Sequence, residues 1–203
     1  MQTTKDYIRK LLLETAQKAF FEKGFKSVSM REISKLSGIG LSNIYNYFSC
    51  KDDIFVQIVT PAVRTFENML DEHHGRRGTD IMVMCDRDYF KYMVDEYTSF
   101  IHRHRDLLLL LLFRSQGSSL ENYKEEFARK STALVKEYFT LMKHKHPQLE
   151  TDISDFSIRM HTVWMFALFE ELLMRRVKPD EIEKVVTEYM TIEVAGWREL
   201  MKI

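Results

Sequence analysis

The stretch Ser29–Lys51, SMREISKLSGIGLSNIYNYFSCK, constrains this chain more than any other. It sets two short helical patterns on either side of a glycine-containing joint. Ser29 is placed to cap the first helix, and Glu32, three residues on, to reach back to it, which is the pattern of a capping box. Val28 and Ile33 take the positions of the hydrophobic staple around that cap. Ile33 and Leu36 then share one helical face. Gly38 follows where a left-handed residue is easily tolerated only by glycine, and Ile39 can fold back onto Ile33. A second short helix runs Leu41–Phe48, anchored by Ile44 and Phe48 at i and i+4.

Ser42, Asn43, Tyr45, Asn46 and Tyr47 remain on the outward side. Amides, hydroxyls and aromatic rings on so short a helix add little to fold stability and suit hydrogen bonds to something outside it. Helix, glycine-containing turn and polar second helix make up the helix-turn-helix arrangement, whose second helix enters the major groove of DNA. Spacing alone is equally open to two ordinary helices of an all-α protein.

The rest of the chain reads as helix throughout. Only 7 glycines and 3 prolines occur in 203 residues, which favours long helices over a turn-rich β-protein. A first helix spans 4–23, with Ile8, Leu11, Leu12, Ala16, Ala19 and Phe20 at helical spacing, and Gly24 at its C-cap so that Phe25 folds back on Phe20. Ser49 is placed to cap a fourth helix from Lys51 to about His73, with Asp52 and Asp53 where the helix dipole favours acids. Lys51 opposes that dipole and makes sense beside a phosphate, or else as a solvated lysine. Pro61 falls inside this helix and should kink it or break one hydrogen bond. The loop from His74 to Asp80 follows, and then helices over 81–103, 105–115, 119–144, 152–176 and 179–201. Val163–Phe169 is apolar on all sides, and Ile182, Val185, Val186, Tyr189, Met190, Val194, Trp197 and Leu200 stripe the last helix. Together they offer more apolar surface than one side of a small core needs, which suits a subunit interface or burial within the monomer.

Charge and chemistry exclude several classes. Net charge is zero, but residues 1–60 carry nine Lys/Arg against six acids, a modest basic bias that permits a phosphate-facing N-terminal portion. Cys50 and Cys85 are the only cysteines, so no disulfide framework or four-cysteine zinc site can form within one chain. The polar N-terminus lacks a signal-peptide core, and the longest apolar run, Leu107–Phe113, is far short of the ~20 residues that span a bilayer. A soluble cytoplasmic protein with no membrane association is expected. His102 and His104, and His144 and His146, sit at i and i+2, which point to different helix faces, so no metal site is expected of them. His161, in an apolar helix, suits a satisfied core histidine or a cavity wall. No phosphate loop, nucleophile elbow or metalloprotease pattern is present, so no enzyme is expected and no catalytic residue is assigned. The 12 methionines and 14 phenylalanines fit a packed bundle as well as a pliable apolar pocket.

The run Ala19–Phe25, then Ser29-Met30-Arg31-Glu32-Ile33-Ser34, Ser37-Gly38-Ile39 and Ile44-Tyr45-Asn46-Tyr47-Phe48-Ser49-Cys50-Lys51-Asp52-Asp53-Ile54, closely resembles the N-terminal domain of the TetR family, the TetR/AcrR-like one-component bacterial repressors. The resemblance covers about residues 6–66, and its Tyr-x-Tyr-Phe-x-x-Lys run is more specific than a generic helix-turn-helix. The remainder is similar only in length, in being helical and in its two apolar C-terminal helices.

The resemblance implies an all-α, Ω-shaped homodimer of about nine helices. Residues 1–50 would form the DNA-binding domain, with its motif at 29–48, and 51–203 a ligand-binding and dimerisation domain. Ser42, Asn43 and Tyr45 would face base edges, while Met30, Asn46, Tyr47 and Lys51 would approach phosphates. A cavity among the middle helices would draw on Tyr89, Met93, Phe100, Phe139, His161, Trp164 and Met165. The dimer interface would use Phe166, Phe169, Leu173, Tyr189 and Trp197. The implied partners are double-stranded DNA carrying a palindromic operator, a second copy of the chain and a small hydrophobic or amphipathic effector; no cofactor and no metal is implied. The setting would be the bacterial cytoplasm, at the nucleoid. Gly40 and Leu41-Ser42 depart from the Ser/Thr and Lys-Gly that family members often carry there, so base preference does not transfer. The function implied is a ligand-responsive transcriptional regulator acting as a repressor. Its rival is a helical interaction or scaffold protein whose head no longer binds DNA, favoured by the weak net charge and the missing lysine.

Overall fold

The computed structural model describes residues 2–76, 78–84 and 86–203, with side chains from residue 5 onward; Arg77 and Cys85 lie outside the described residues. Every regular element described is helical: α1 Gln2–Lys23, α2 Met30–Ser37, α3 Leu41–Ile44, α4 Lys51–His74, α5 Ile81–Met84, α6 Arg87–Phe113, α7 Tyr123–Lys145, α8 Asp155–Met174 and α9 Pro179–Met201. The chain divides into two compact units, one of Met1–Val63 with Asp106–Tyr123, the other of Arg64–Arg105 with Lys124–Ile203. Helices α4 and α6 each run from one unit into the other.

The first unit closes on a small aromatic core. Gly24 adopts φ +76°, a value that suits glycine, and its N–H returns to the Phe20 carbonyl at 2.8 Å. The reversal brings Phe25 to 5.6 Å from Phe20, and both rings pack on Phe55 of α4 at 5.1–5.4 Å. Ile33, Ile44 and Phe48 are buried beside them. The Arg114 carbonyl accepts from Phe25 N at 2.9 Å and Asp52 Oδ1 accepts from Ser119 N at 2.8 Å, so residues 106–123 belong to this core. That second bond explains one difference from the sequence reading. The backbone at Ser119 is taken up by Asp52, residues 118–123 form successive turns, and α7 starts at Tyr123 rather than at 119.

The expected break between helices at 103–105 falls at His104 as a kink, while the expected helix start at 81 is displaced. Asp80 caps a one-turn α5 by accepting the Met82 N–H at 2.9 Å, and α6 then starts at Arg87. It continues to Phe113 through a kink at His104 (φ −118°, ψ 18°), with no proline or glycine there to end it. Pro61 lies within an α4 that runs through it from Lys51 to His74.

Phe66 of α4 is the centre of the second unit, with Phe100, Phe127, Phe166 and Phe169 at 4.7–5.5 Å. Aromatic pairs in such tilted and edge-on arrangements each stabilise by about 0.5–1.5 kcal/mol beyond area burial. Two of the five rings, Phe166 and Phe169, were expected at a subunit interface. They and Leu173 are enclosed within their own chain, so they have no surface to give a partner. What α8 and α9 do expose is a groove of Phe156, Met160, Trp164, Ile192 and Leu200. No helix among the described residues is long and apolar enough to cross a membrane.

Candidate functional site

Local signals build the helix-turn-helix. Ser29 Oγ accepts the Glu32 N–H at 3.1 Å, capping α2. The Glu32 carboxylate does not complete the capping box; it pairs with Lys23 at 2.5 Å, a contact that lowers its pKa, chiefly through that hydrogen bond. Gly38 ends α2 at φ +71°. Ser34 Oγ donates to the Ile39 carbonyl at 2.7 Å, and Ser37 Oγ accepts from Ile39 N at 3.3 Å, so two serines that the spacing did not single out pin the turn. Leu36, expected to share the inner face with Ile33, is 57% exposed on the rim.

The second helix is shorter than the sequence implies. Only Leu41–Ile44 are α-helical; Asn46 N and Tyr47 N then bond carbonyls three residues back, at 3.1 and 2.9 Å, tightening the last turn. Gly40 offers no side-chain cap. Ile44 and Phe48 are buried, while Ser42, Tyr45 and Asn46 are exposed and Met30, Asn43 and Tyr47 are half-buried along the same stretch. Asn46 Nδ2 donates to Asn43 Oδ1 at 3.3 Å, so two of the expected contact residues orient one another. Tyr45 keeps 51% of its surface open with its apolar neighbours buried, an arrangement that presents a ring rather than packs it.

Lys51, which the resemblance implies as a phosphate contact, turns inward in this structure. Its ammonium donates to the carbonyls of Phe25 and Val28, both at 2.7 Å, and lies 4.0 Å from the centre of the Phe25 ring. Burial lowers its pKa, against the opposing pull of Asp52. The lysine thus escapes the unfavourable helix N-terminus by turning back to carbonyls that precede the α2 cap. Beside it, Asp53 accepts from Ser49 N at 3.0 Å and from Gln57 Nε2 at 2.6 Å, and Arg9 holds Gln57 from α1. The Lys51 and Arg9 bonds bridge 23 to 48 residues of sequence, which is why spacing could not find them.

The second unit contains a cavity of about 120 Å³. Of the expected lining residues Met93, Phe139 and His161 are on its wall. Met165 lines a smaller chamber that shares His73, His74, Tyr97, Val135 and His161 with it. Tyr89 stands behind the wall, against His73 Nδ1, while Glu96 Oε2 lies 2.6 Å from His73 Nε2. Phe100 packs on Phe66, and Trp164 opens onto the outer groove. Of the expected interface residues, Tyr189 is buried with its ring 5.5 Å from Trp164, and Trp197 lies between cavity and groove.

Glu193 is the residue sequence reasoning missed that matters most. It is 7% exposed, engages His161 Nδ1 and accepts from Trp197 Nε1 at 3.1 Å. A lone acid in the apolar stripe Tyr189, Met190, Val194, Trp197 was the available signal. His74, also missed, is held neutral: burial, then the neighbouring His73 and His161, push its pKa down to about 3. Before α5, Asp80 accepts from His146 Nε2 at 3.0 Å and pairs with Lys145. Burial works against its charge, but the hydrogen bonds from Lys145 and His146 prevail and hold it at about 2. Among the described residues no cluster of three or more His, Cys, Asp or Glu is arranged to hold a metal ion.

Residues 12–58 match the family of bacterial regulatory proteins, tetR family. The HTH-type transcriptional regulator YhgD of Bacillus subtilis (strain 168) is 34% identical over 64 residues, covering 32% of this chain and 34% of that protein. An HTH-type transcriptional regulator of Haemophilus influenzae is 25% identical over 143 residues, 70% of this chain and 66% of that one. The chain therefore spans 34% and 66% of the length of these two relatives. FadR from Bacillus subtilis, solved in complex with stearoyl-CoA, superposes with a TM-score of 0.63 at 15% identity over 92% of this chain and 98% of that one, a likeness of fold. The capped α2, the glycine turn, the short polar α3 and the match over residues 12–58 together make the N-terminal part of this chain similar to the tetR family of bacterial regulatory proteins.

Proposed function

We propose that this chain is a DNA-binding transcriptional regulator that acts as a homodimeric repressor on a palindromic operator and is relieved by a small effector. One observation carries the reading. The motif buries its apolar anchors, Ile33, Ile44 and Phe48, and leaves Ser42, Tyr45 and Asn46 exposed on one short stretch. Residues 1–50 serve as the DNA-binding part and 51–203 as the effector and dimerisation part. Ser42, Asn43 and Tyr45 read base edges, and Met30, Asn46 and Tyr47 set the register on phosphates. Lys51 acts behind them, holding the approach to α2.

The dimer forms through the exposed groove of α8 and α9, with Phe156, Met160, Trp164, Ile192 and Leu200 at its centre; Tyr189 and Trp197 support it from beneath. Two recognition helices must reach successive major grooves roughly 34–36 Å apart, so the dimer sets half-site spacing. The effector occupies the cavity beside His161 and Glu193, which is much smaller than the stearoyl-CoA bound by a protein of the same fold would need. Helices α4 and α6 leave that unit for the head's unit and offer the covalent route by which occupancy alters DNA affinity. The protein would work at the bacterial nucleoid, in the cytoplasm.

In-vitro selection of random duplexes, followed by anisotropy titration across salt, tests the reading. A pseudo-palindromic winner, bound by dimers and weakened steeply by salt, is the expected result. No enrichment by a folded dimer would replace it with the interaction-protein reading.

A further inference from the structure

The walls of the cavity describe what fits inside. At about 120 Å³ it is small. An engineered apolar cavity of ~150 Å³ in another protein takes up benzene, so a single ring is the right scale and the adjoining chamber leaves room for a short substituent. Met84, Met93, Met190 and Met201 surround it, with Phe139 and Trp197. Thioether sulfur and ring edges make favourable contacts with an aromatic guest and adapt to its outline.

The polar groups on the wall are mostly committed. His73 lies between Tyr89 and Glu96, and Tyr138 Oη donates to the Thr79 carbonyl at 2.7 Å. Glu193 is held by His161 and Trp197. His74 differs. Its ring meets Tyr138 edge-on at 5.2 Å and His73 at 6.2 Å, and its nitrogens make no hydrogen bond among the described residues. It lines both the main cavity and the smaller chamber. Burial keeps the ring uncharged, so it presents one N–H donor and one lone-pair acceptor.

Charge narrows the guest further. An anionic group inside would meet the buried Glu193 carboxylate, while Arg198, the cation that also lines the cavity, is exposed to solvent. A cationic group would find that carboxylate already engaged by His161 and Trp197. We propose that the cavity binds a small uncharged aromatic molecule bearing one hydroxyl or N–H group, of the phenol class, hydrogen-bonded to His74. The inference rests on the regulator reading only in treating this molecule as the effector; the binding itself is independent of DNA.

The test uses the full chain and titrates phenol, toluene and benzoate by calorimetry against the wild type, His74→Phe and His74→Gln. Phenol should bind the wild type, and benzoate at least tenfold more weakly. His74→Phe should lower the ratio of phenol to toluene affinity about tenfold, the scale of one hydrogen bond of ~1.4 kcal/mol. His74→Gln, which keeps a donor and an acceptor, should retain most of that ratio. Circular dichroism of each variant reports folding. Phenol failing to bind the folded wild type, benzoate binding more tightly than phenol, or equal losses for phenol and toluene in His74→Phe would each overturn the proposal. Any of these with operator selection intact would leave the regulator reading standing, whereas phenol binding without operator selection would remove that reading alone.

Discussion

The ammonium of Lys51 lies 4.0 Å from the centre of the Phe25 ring while donating to the Phe25 carbonyl at 2.7 Å. With its second bond, to the Val28 carbonyl, it ties the first turn of α4 to the residue just before the Ser29 cap. The lysine therefore positions α2 from behind, and its charge is spent on two carbonyls and a ring.

Lys51→Met keeps the aliphatic stem and removes the charge-assisted bonds, so it should destabilise the head by about 1–3 kcal/mol in urea denaturation. DNA affinity should fall for all sequences alike. The slope of log affinity against log salt should stay as in the wild type; a slope reduced by about 0.9 would show instead that Lys51 neutralises a phosphate.

Replacing residues of the exposed stretch should split into two behaviours. Asn43→Ala should relax preference at one base position by about 1–3 kcal/mol, seen as a changed selection profile. Tyr47→Ala should weaken every duplex similarly and leave the profile unchanged.

The buried side of α8 and the outer groove of α8 and α9 should respond differently. Phe166→Ala removes a ring packed on Phe66 and Phe127 and should cost about 3–5 kcal/mol of stability. Trp164→Glu and Leu200→Glu place charges in the outer groove and should raise the monomer fraction in sedimentation experiments. Spectroscopic secondary structure should be retained. A dimer unaffected by both would remove this groove as the interface.

Acid should destabilise the second unit through His74. Its pKa is depressed to about 3 in the folded protein against an ordinary 6.5, so between those values the unfolded chain binds a proton that the folded one refuses. Stability is fully present above pH 6.5 and is lost as pH falls toward 3, by about 1.4 kcal/mol per pH unit from this group. Wild type should therefore lose about 2 kcal/mol more than His74→Gln between pH 7 and pH 5, measured from urea unfolding at both values.

Much of the head was legible because its determinants are local. The Ser29 cap, the left-handed Gly38, the Gly24 reversal onto Phe20 and the buried pair Ile44 and Phe48 all act within a few residues of one another. Hydrogen-bond closure and helical period suffice to place them. Leu36 shows where periodicity stops: it shares a face with Ile33, but no other element covers that end of α2.

The cavity was only partly legible. Met93, Phe139 and His161 could be named from their helices, but His74 is the last residue of α4, where the loop signal begins, with nothing to mark it as a wall. Likewise an apolar turn such as Val163–Phe169 shows that both sides of α8 are covered or sticky, without showing which side is which.

By itself the amino-acid order determined the helical class, the helix-turn-helix and its anchors, since these depend on period, caps and glycine conformation over a single turn. Tertiary structure alone decided that Lys51 serves carbonyls 23 and 26 residues away, that Phe166 and Phe169 belong to the Phe66 core, and that His74 faces a void. Those outcomes depend on which surface another helix comes to cover, and a helix's own sequence carries its pattern of faces but not the identity of what packs against them.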